Sequence, residues 1–167
     1  MRFAIRAATK RDYDALNQII DHVDALHREH LSHIFQKPDG PPRDREYILG
    51  VLADESYGLF VAETEGPVPS HAEGPVLGFV QLAVRDALPI PILVPRRVAV
   101  VENLAVREDV RRAGIGRALM RRAQRWAEEL GAAEIELNVY EFNQAAIDFY
   151  HSLGYATSSR RMSKRLD

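Results

Sequence analysis

The stretch Val106-Arg107-Glu108-Asp109-Val110-Arg111-Arg112-Ala113-Gly114-Ile115-Gly116-Arg117-Ala118-Leu119 decides how this chain is read. It joins a predicted strand at 98–106, dense in Val and Leu, to a predicted helix from about Gly114 to Leu130. A helix start offers unpaired backbone N–H groups and the positive end of the macrodipole, which together attract anions. Glycine has no Cβ, so a large ligand can approach the backbone closely. Arginines add charge-assisted donors matched to phosphate oxygens. Seven arginines and two acids fall between Arg107 and Arg125. No Gly-Lys-Ser/Thr follows, and the three-glycine dinucleotide spacing is missing, so neither of those phosphate motifs is present. The residues alone predict an anion held at Arg111 to Gly116.

Working outward, the pattern is mixed α/β (α+β). Phe3 and Ile5 alternate with small or charged residues as a short first strand. Thr9 and Asp12 approximate a capping box, and Leu16, Ile19, Ile20, Val23 and Leu26 follow at helical spacing. Residues 37–42 break the chain, and 43–53 read as a second helix. Strands are expected at 58–63 and 76–84, joined by a turn-rich loop at 66–75. A second loop, 86–95, carries Pro89, Pro91 and Pro95 among apolar residues, so it is no central strand. It is expected to wall a binding cleft, or to pack on the core or a partner subunit. Ile115, Leu119, Ala123, Trp126 and Leu130 form the apolar stripe of the long helix, which ends at Gly131. Trp126 is therefore core. A strand at 133–139, a helix at 144–153 and a last strand or strand pair at 155–166 complete the order.

Composition bounds the rest. The 167 residues suit one domain, 1–167, with an ordinary apolar share of 46%. There is no cysteine, which excludes disulfides, thiolate metal sites and a cysteine nucleophile, and fits a cytoplasmic protein. No apolar run approaches the ~20 residues of a membrane span. The net charge of −2 argues against general nucleic-acid binding. Residues 10–65 hold twelve acids and six bases, an acidic counterpart to the arginine-rich segment.

Two segments, the opening stretch and a later one, give the anion a name by resemblance. Arg111, Gly114 and Gly116 meet the pattern Gln/Arg-x-x-Gly-x-Gly/Ala of the GNAT superfamily of N-acetyltransferases. Asn143-Gln144-Ala145-Ala146-Ile147-Asp148-Phe149-Tyr150-His151-Ser152-Leu153-Gly154-Tyr155 resembles that superfamily's second pattern, Asn-x-x-Ala-x-x-Phe/Leu-Tyr-x-x-x-Gly-Phe/Tyr. The resemblance implies a GNAT-like fold, a mixed, mostly antiparallel sheet of six or seven strands with about four helices on its two faces. It implies acetyl-CoA as co-substrate, its pyrophosphate on Arg111, Arg112, Ala113, Gly114, Ile115 and Gly116. Backbone groups of Leu104, Ala105 and Val106 would pair with the pantetheine arm, the Leu104 N–H facing the thioester oxygen. Asn143 would cap its helix and touch the cofactor. Tyr150, otherwise a packing aromatic, becomes the acid that protonates the leaving thiolate.

The acceptor amine must lose a proton. Glu102 is the candidate base, because period-two alternation puts it on the face of Leu104. The alternatives are a strand carboxylate paired with an arginine such as Arg96 or Arg97, or no dedicated base at all. His22, His27, His30 and His33 cluster on or after the first helix without a known metal spacing. No metal is expected, and a solvated helix end or cleft lip is the reading. His151 is expected to point to solvent.

The expected function is transfer of an acetyl group to a primary amine, a small molecule or a peptide or protein amine, by direct attack in a ternary complex. Rivals are another acyl-CoA in the same fold, a non-catalytic acyl-CoA sensor or structural subunit, and a nucleotide-binding regulator. No nucleic-acid or membrane partner is expected, and the apolar proline loop is compatible with a homodimer.

Overall fold

Five strands in sequence order, β1 (Phe3–Ala7), β2 (Tyr57–Thr64), β3 (Val76–Asp86), β4 (Arg97–Val106) and β5 (Glu134–Leu137), form one sheet. The first four pair antiparallel and β5 joins β4 in parallel. Four helices complete the architecture: α1 (Tyr13–His30), α2 (Arg45–Ala53), α3 (Ile115–Glu129) and α4 (Gln144–His151). The structure is a computed structural model that describes residues 1–68 and 74–166. The centre of the predicted turn-rich loop, 69–73, lies outside the described residues.

Each face of the sheet buries its own core. Leu16, Ile19 and Ile20 of α1 and Ile48 and Val51 of α2 pack on Leu59, Val61, Phe79 and Ala105. Ile115, Leu119, Met120, Ala123 and Ala127 of α3 pack on Phe60, Leu82, Ala99 and Val101 across the sheet. Trp126 meets Phe60 edge-on at 6.3 Å, as a core residue should. The ends of the helices follow the sequence. Asp12 accepts from the Thr9 N–H at 2.7 Å in a capping box, and Gly131 closes α3 at φ 74°.

Two expectations need correction. The sheet has five strands among the described residues, not six or seven, because 155–166 forms no strand. In that segment Met162, Lys164 and Leu166 alternate with Arg161, Ser163 and Arg165, so neither face is apolar enough to bury. Met162 and Leu166 are accordingly exposed. The proline loop is not packed on the core either: Leu88, Ile90, Ile92 and Val94 are all exposed. The loop is closed at its base by the Ala87 N–H to Arg96 O bond and the Arg97–Asp86 ion pair.

Candidate active site

The site is built around a gap in the sheet. β4 runs beside β3 as far as Val106, but β5 accompanies β4 only from Val98 to Val101. Beyond Val101 one edge of β4 is open. The Arg107 N–H donates to Leu77 O on β3 at 2.9 Å. Backbone groups alternate sides along a strand, so those of Ala105 also point to β3 and those of Leu104 and Val106 point into the gap. Val106 O accepts a long bond of 3.4 Å from Arg111 Nε on that side. Of the three predicted backbone contacts, Leu104 and Val106 are thus free to face a ligand. Ala105 spends its groups on the sheet, and its side chain is buried under α1.

The loop after β4 turns through a 3-10 segment, Glu108–Val110, whose Val110 is buried. Arg112 follows with φ 67° and Gly114 with φ 81°, two left-handed residues that bend the chain into α3. Gly114 is the N-cap and provides no side chain to the helix start, so the first N–H groups of α3 are left for a ligand. A Cβ on Gly116 would lie 3.2 Å from the Phe149 ring and 3.8 Å from Val106 Cγ2. Gly116 therefore lets α3, β4 and α4 meet at the gap. Arg111 and Arg112 are exposed beside it. Arg107 is instead a structural residue, bonded to Asp109 at 2.7 Å and Gly74 O at 3.2 Å.

On the far wall, α4 starts where Asn143 Oδ1 accepts the Ala146 N–H at 3.1 Å. The capping role of Asn143 is thereby filled by its oxygen. Tyr150 packs half-buried against the α3-side core, its ring 5.3 Å from Phe149 and 5.8 Å from Tyr155. Burial, with a smaller contribution from Tyr155, pushes the Tyr150 hydroxyl up to about 12. The group keeps its proton at neutral pH. His151 is exposed, as expected.

Glu102 differs from its expectation. The β3–β4 register slips by one between Gln81 and Leu82, which makes Glu102 the extra residue of a β-bulge. The bulge resets the alternation. Leu104 packs towards α3, while Glu102 lies with Gln81 and Arg85 on the α1–α2 face. The two residues do not share a face, and Glu102 pairs with Arg85 rather than Arg96 or Arg97. Gln81, 1% exposed, donates from Nε2 to Glu102 Oε2 at 2.9 Å and to the Tyr47 hydroxyl at 2.8 Å. Sequence reasoning missed Gln81, Arg85 and Tyr47. The signal for Gln81 was present, as the one polar residue inside the apolar run 76–84.

The histidine cluster also has an unforeseen setting. His30 stacks on Phe142 at 4.4 Å, and His27 contacts Phe35, Tyr140 and Phe142 within 5.8 Å. These rings tie the end of α1 to the loop after β5. Their Nδ1 atoms lie 2.9 and 3.0 Å from the Val23 and Leu26 carbonyls, so Nδ1–H donates there. Among the described residues no group of three or more His, Cys, Asp or Glu is placed to hold a metal. None of the helices there is long and apolar enough to cross a membrane.

An open strand edge leading to a glycine-lined helix start, with a protonated phenol alongside, fits an acyl-thioester ligand with a diphosphate. The chain belongs to the acetyltransferase (GNAT) family, whose pattern matches residues 22–155. The class which that family defines is an acyltransferase moving groups other than amino-acyl groups. The chain is 34% identical over 111 residues to an uncharacterized N-acetyltransferase of Methanocaldococcus jannaschii, covering 66% of this chain and 44% of that protein. It is 31% identical over 117 residues to an N-alpha-acetyltransferase of Sulfurisphaera tokodaii, covering 68% of this chain and 66% of that protein. The chain thus spans less than two thirds of the length of these curated relatives. In fold it is similar to a tetramutant of the BH1408 protein from Bacillus halodurans, with a TM-score of 0.88 at 24% identity over 98% of this chain and 99% of that one.

Proposed function

We propose that the chain, as one domain, transfers an acetyl group from acetyl-CoA to a primary amine by direct attack in a ternary complex. The observation that carries this reading is the open edge of β4 at Leu104 and Val106, continuous with the uncapped start of α3. Arg111 to Gly116 would hold the diphosphate through backbone N–H groups and guanidinium charge. Leu104 and Val106 would pair with the pantetheine amides, with the Leu104 N–H turned to the thioester oxygen. Bound there, acetyl-CoA supplies an activated acyl carbon and a thiolate leaving group.

The remaining work falls to side chains on the two faces of the sheet. Glu102 accepts one proton from the acceptor ammonium, leaving a neutral amine whose lone pair forms the new C–N bond. The Leu104 N–H stabilises the charge that gathers on the carbonyl oxygen. Tyr150 donates to the sulfur as the C–S bond breaks, and the second proton of the amine nitrogen replaces the one it passes on. With no cysteine, a thiol-bound acetyl-enzyme has no place in this scheme. In this reading the rings of His27, His30, Tyr140 and Phe142 would form a lip of the acceptor cleft, and the absence of cysteine suits a cytoplasmic setting. The exposed proline loop suits a homodimer contact.

The test is thiol release from acetyl-CoA across a panel of small amines, lysine peptides and peptides with free N-termini. Release that saturates with one amine supports the reading. Tight coenzyme A binding without turnover anywhere on the panel would make the chain an acyl-CoA sensor.

A further inference from the structure

Both oxygens of the Glu102 carboxylate are already taken, by donors of opposite character. Oε2 accepts from Gln81, which is 1% exposed and gives its other amide hydrogen to Tyr47. Breaking that bond would strand a buried N–H, so this contact is fixed. Oε1 is met by Arg85, whose side chain is 58% exposed, against 22% for Glu102. Exposed ion pairs of this kind hold their partners weakly. Arg85 stands one residue before the end of β3, where the chain leaves for the proline loop, and so has room to swing away.

An acceptor that hands its proton to Glu102 must bring an N–H to a carboxylate oxygen. Gln81 fixes Oε2 from the buried side, and the partner exposed enough to be exchanged is the guanidinium at Oε1. We propose that Arg85 holds the acceptor's place on Glu102 Oε1, and that a monocationic ammonium displaces it while Gln81 keeps the carboxylate in register. This rests on the reading of Glu102 given above, and adds to it the charge class of the acceptor and an internal competitor. The exchange is neutral in charge, one monocation for another. In the step that follows, the ammonium loses one proton to the carboxylate, giving an amine and a carboxylic acid.

Methylammonium is the simplest probe. It is titrated into nitrogen-15-labelled protein, with sodium chloride at matched ionic strength as the control. The Gln81 side-chain amide and the Arg85 Nε–H are followed by NMR. The proposal expects a saturable shift at both signals, and binding to Arg85→Ala roughly two- to five-fold tighter than to the unsubstituted protein. No saturable shift beyond the salt control overturns it, as does equal or weaker binding to Arg85→Ala. Turnover of Glu102→Gln on the amine panel separates the two readings. Full turnover there removes Glu102 as base, whatever the titration gives. A lost turnover with a negative titration removes only the displacement by Arg85's competitor.

Discussion

Tyr150 and Gly116 carry the sharpest consequences at the scale of single residues. Tyr150→Phe keeps the ring packing on Phe149 and Tyr155 and removes only the donor. Its kcat is expected to fall by about 10²-fold or more, with the KM for acetyl-CoA changed less than about two-fold. A raised hydroxyl means that the neutral phenol is favoured by the fold. That contribution is complete below pH 10 and is lost as pH rises through about 12. Burial raises Tyr155 as well, so an ultraviolet titration should show late-ionising tyrosines, and Tyr150→Phe should remove the step near the top of the range. Gly116→Ala forces a methyl against the Phe149 ring at 3.2 Å. Calorimetry should show weaker coenzyme A binding in that variant, because both α4 and the ligand claim the space.

Between β4 and the elements around it, charge and register decide what binds where. The arginine-rich run 107–125 lies at or just after the loop proposed to hold the diphosphate, and its exposed members would act through screened Coulomb attraction. Coenzyme A affinity is expected to drop several-fold between roughly 0.05 and 0.5 M salt, while dephospho-coenzyme A, with less charge, shows a shallower slope. Strand 98–106, helix α3 and the Asn143 cap were all legible, because each has a dense local pattern: a run of Val and Leu, an apolar stripe, a side-chain acceptor. The bulge at Glu102 was not. It depends on which residue of β3 faces which residue of β4, and only the slip between Gln81 and Leu82 reveals it. That slip moved Glu102 to the opposite face from Leu104 and supplied Gln81 and Arg85 as its partners. The strand or strand pair expected at 155–166 is absent for a different reason: its four cations and polar residues leave no apolar face to bury.

For the whole molecule, stability at acid pH should hang on the tie between β1, the start of α1 and β2. Arg6 bonds Asp12 at 2.8 Å and Glu63 at 2.8 Å. Burial alone would raise the Asp12 carboxyl, but the bonds from Arg6 and Thr9 outweigh it and hold Asp12 below its usual range. Glu63 is likewise lowered by Arg6. Depressed carboxylates contribute stability that is fully present above their unfolded values, near 3.8 and 4.5, and is lost as pH falls below them. Arg6→Met leaves Asp12, 5% exposed, without its cation. It is expected to cost about 2 kcal/mol or more at pH 7 and to flatten the acid limb of the melting curve. In the proposed scheme the two faces of the sheet would divide the chemistry, with Leu104 and Tyr150 on the α3 side and Glu102 on the α1–α2 side. The measurement that tests this account most directly is amine-dependent thiol release from acetyl-CoA, compared between the unsubstituted protein and Tyr150→Phe. Saturable release that collapses in the variant is the predicted result. Release unchanged by the substitution, or coenzyme A binding with no release for any amine, would contradict it.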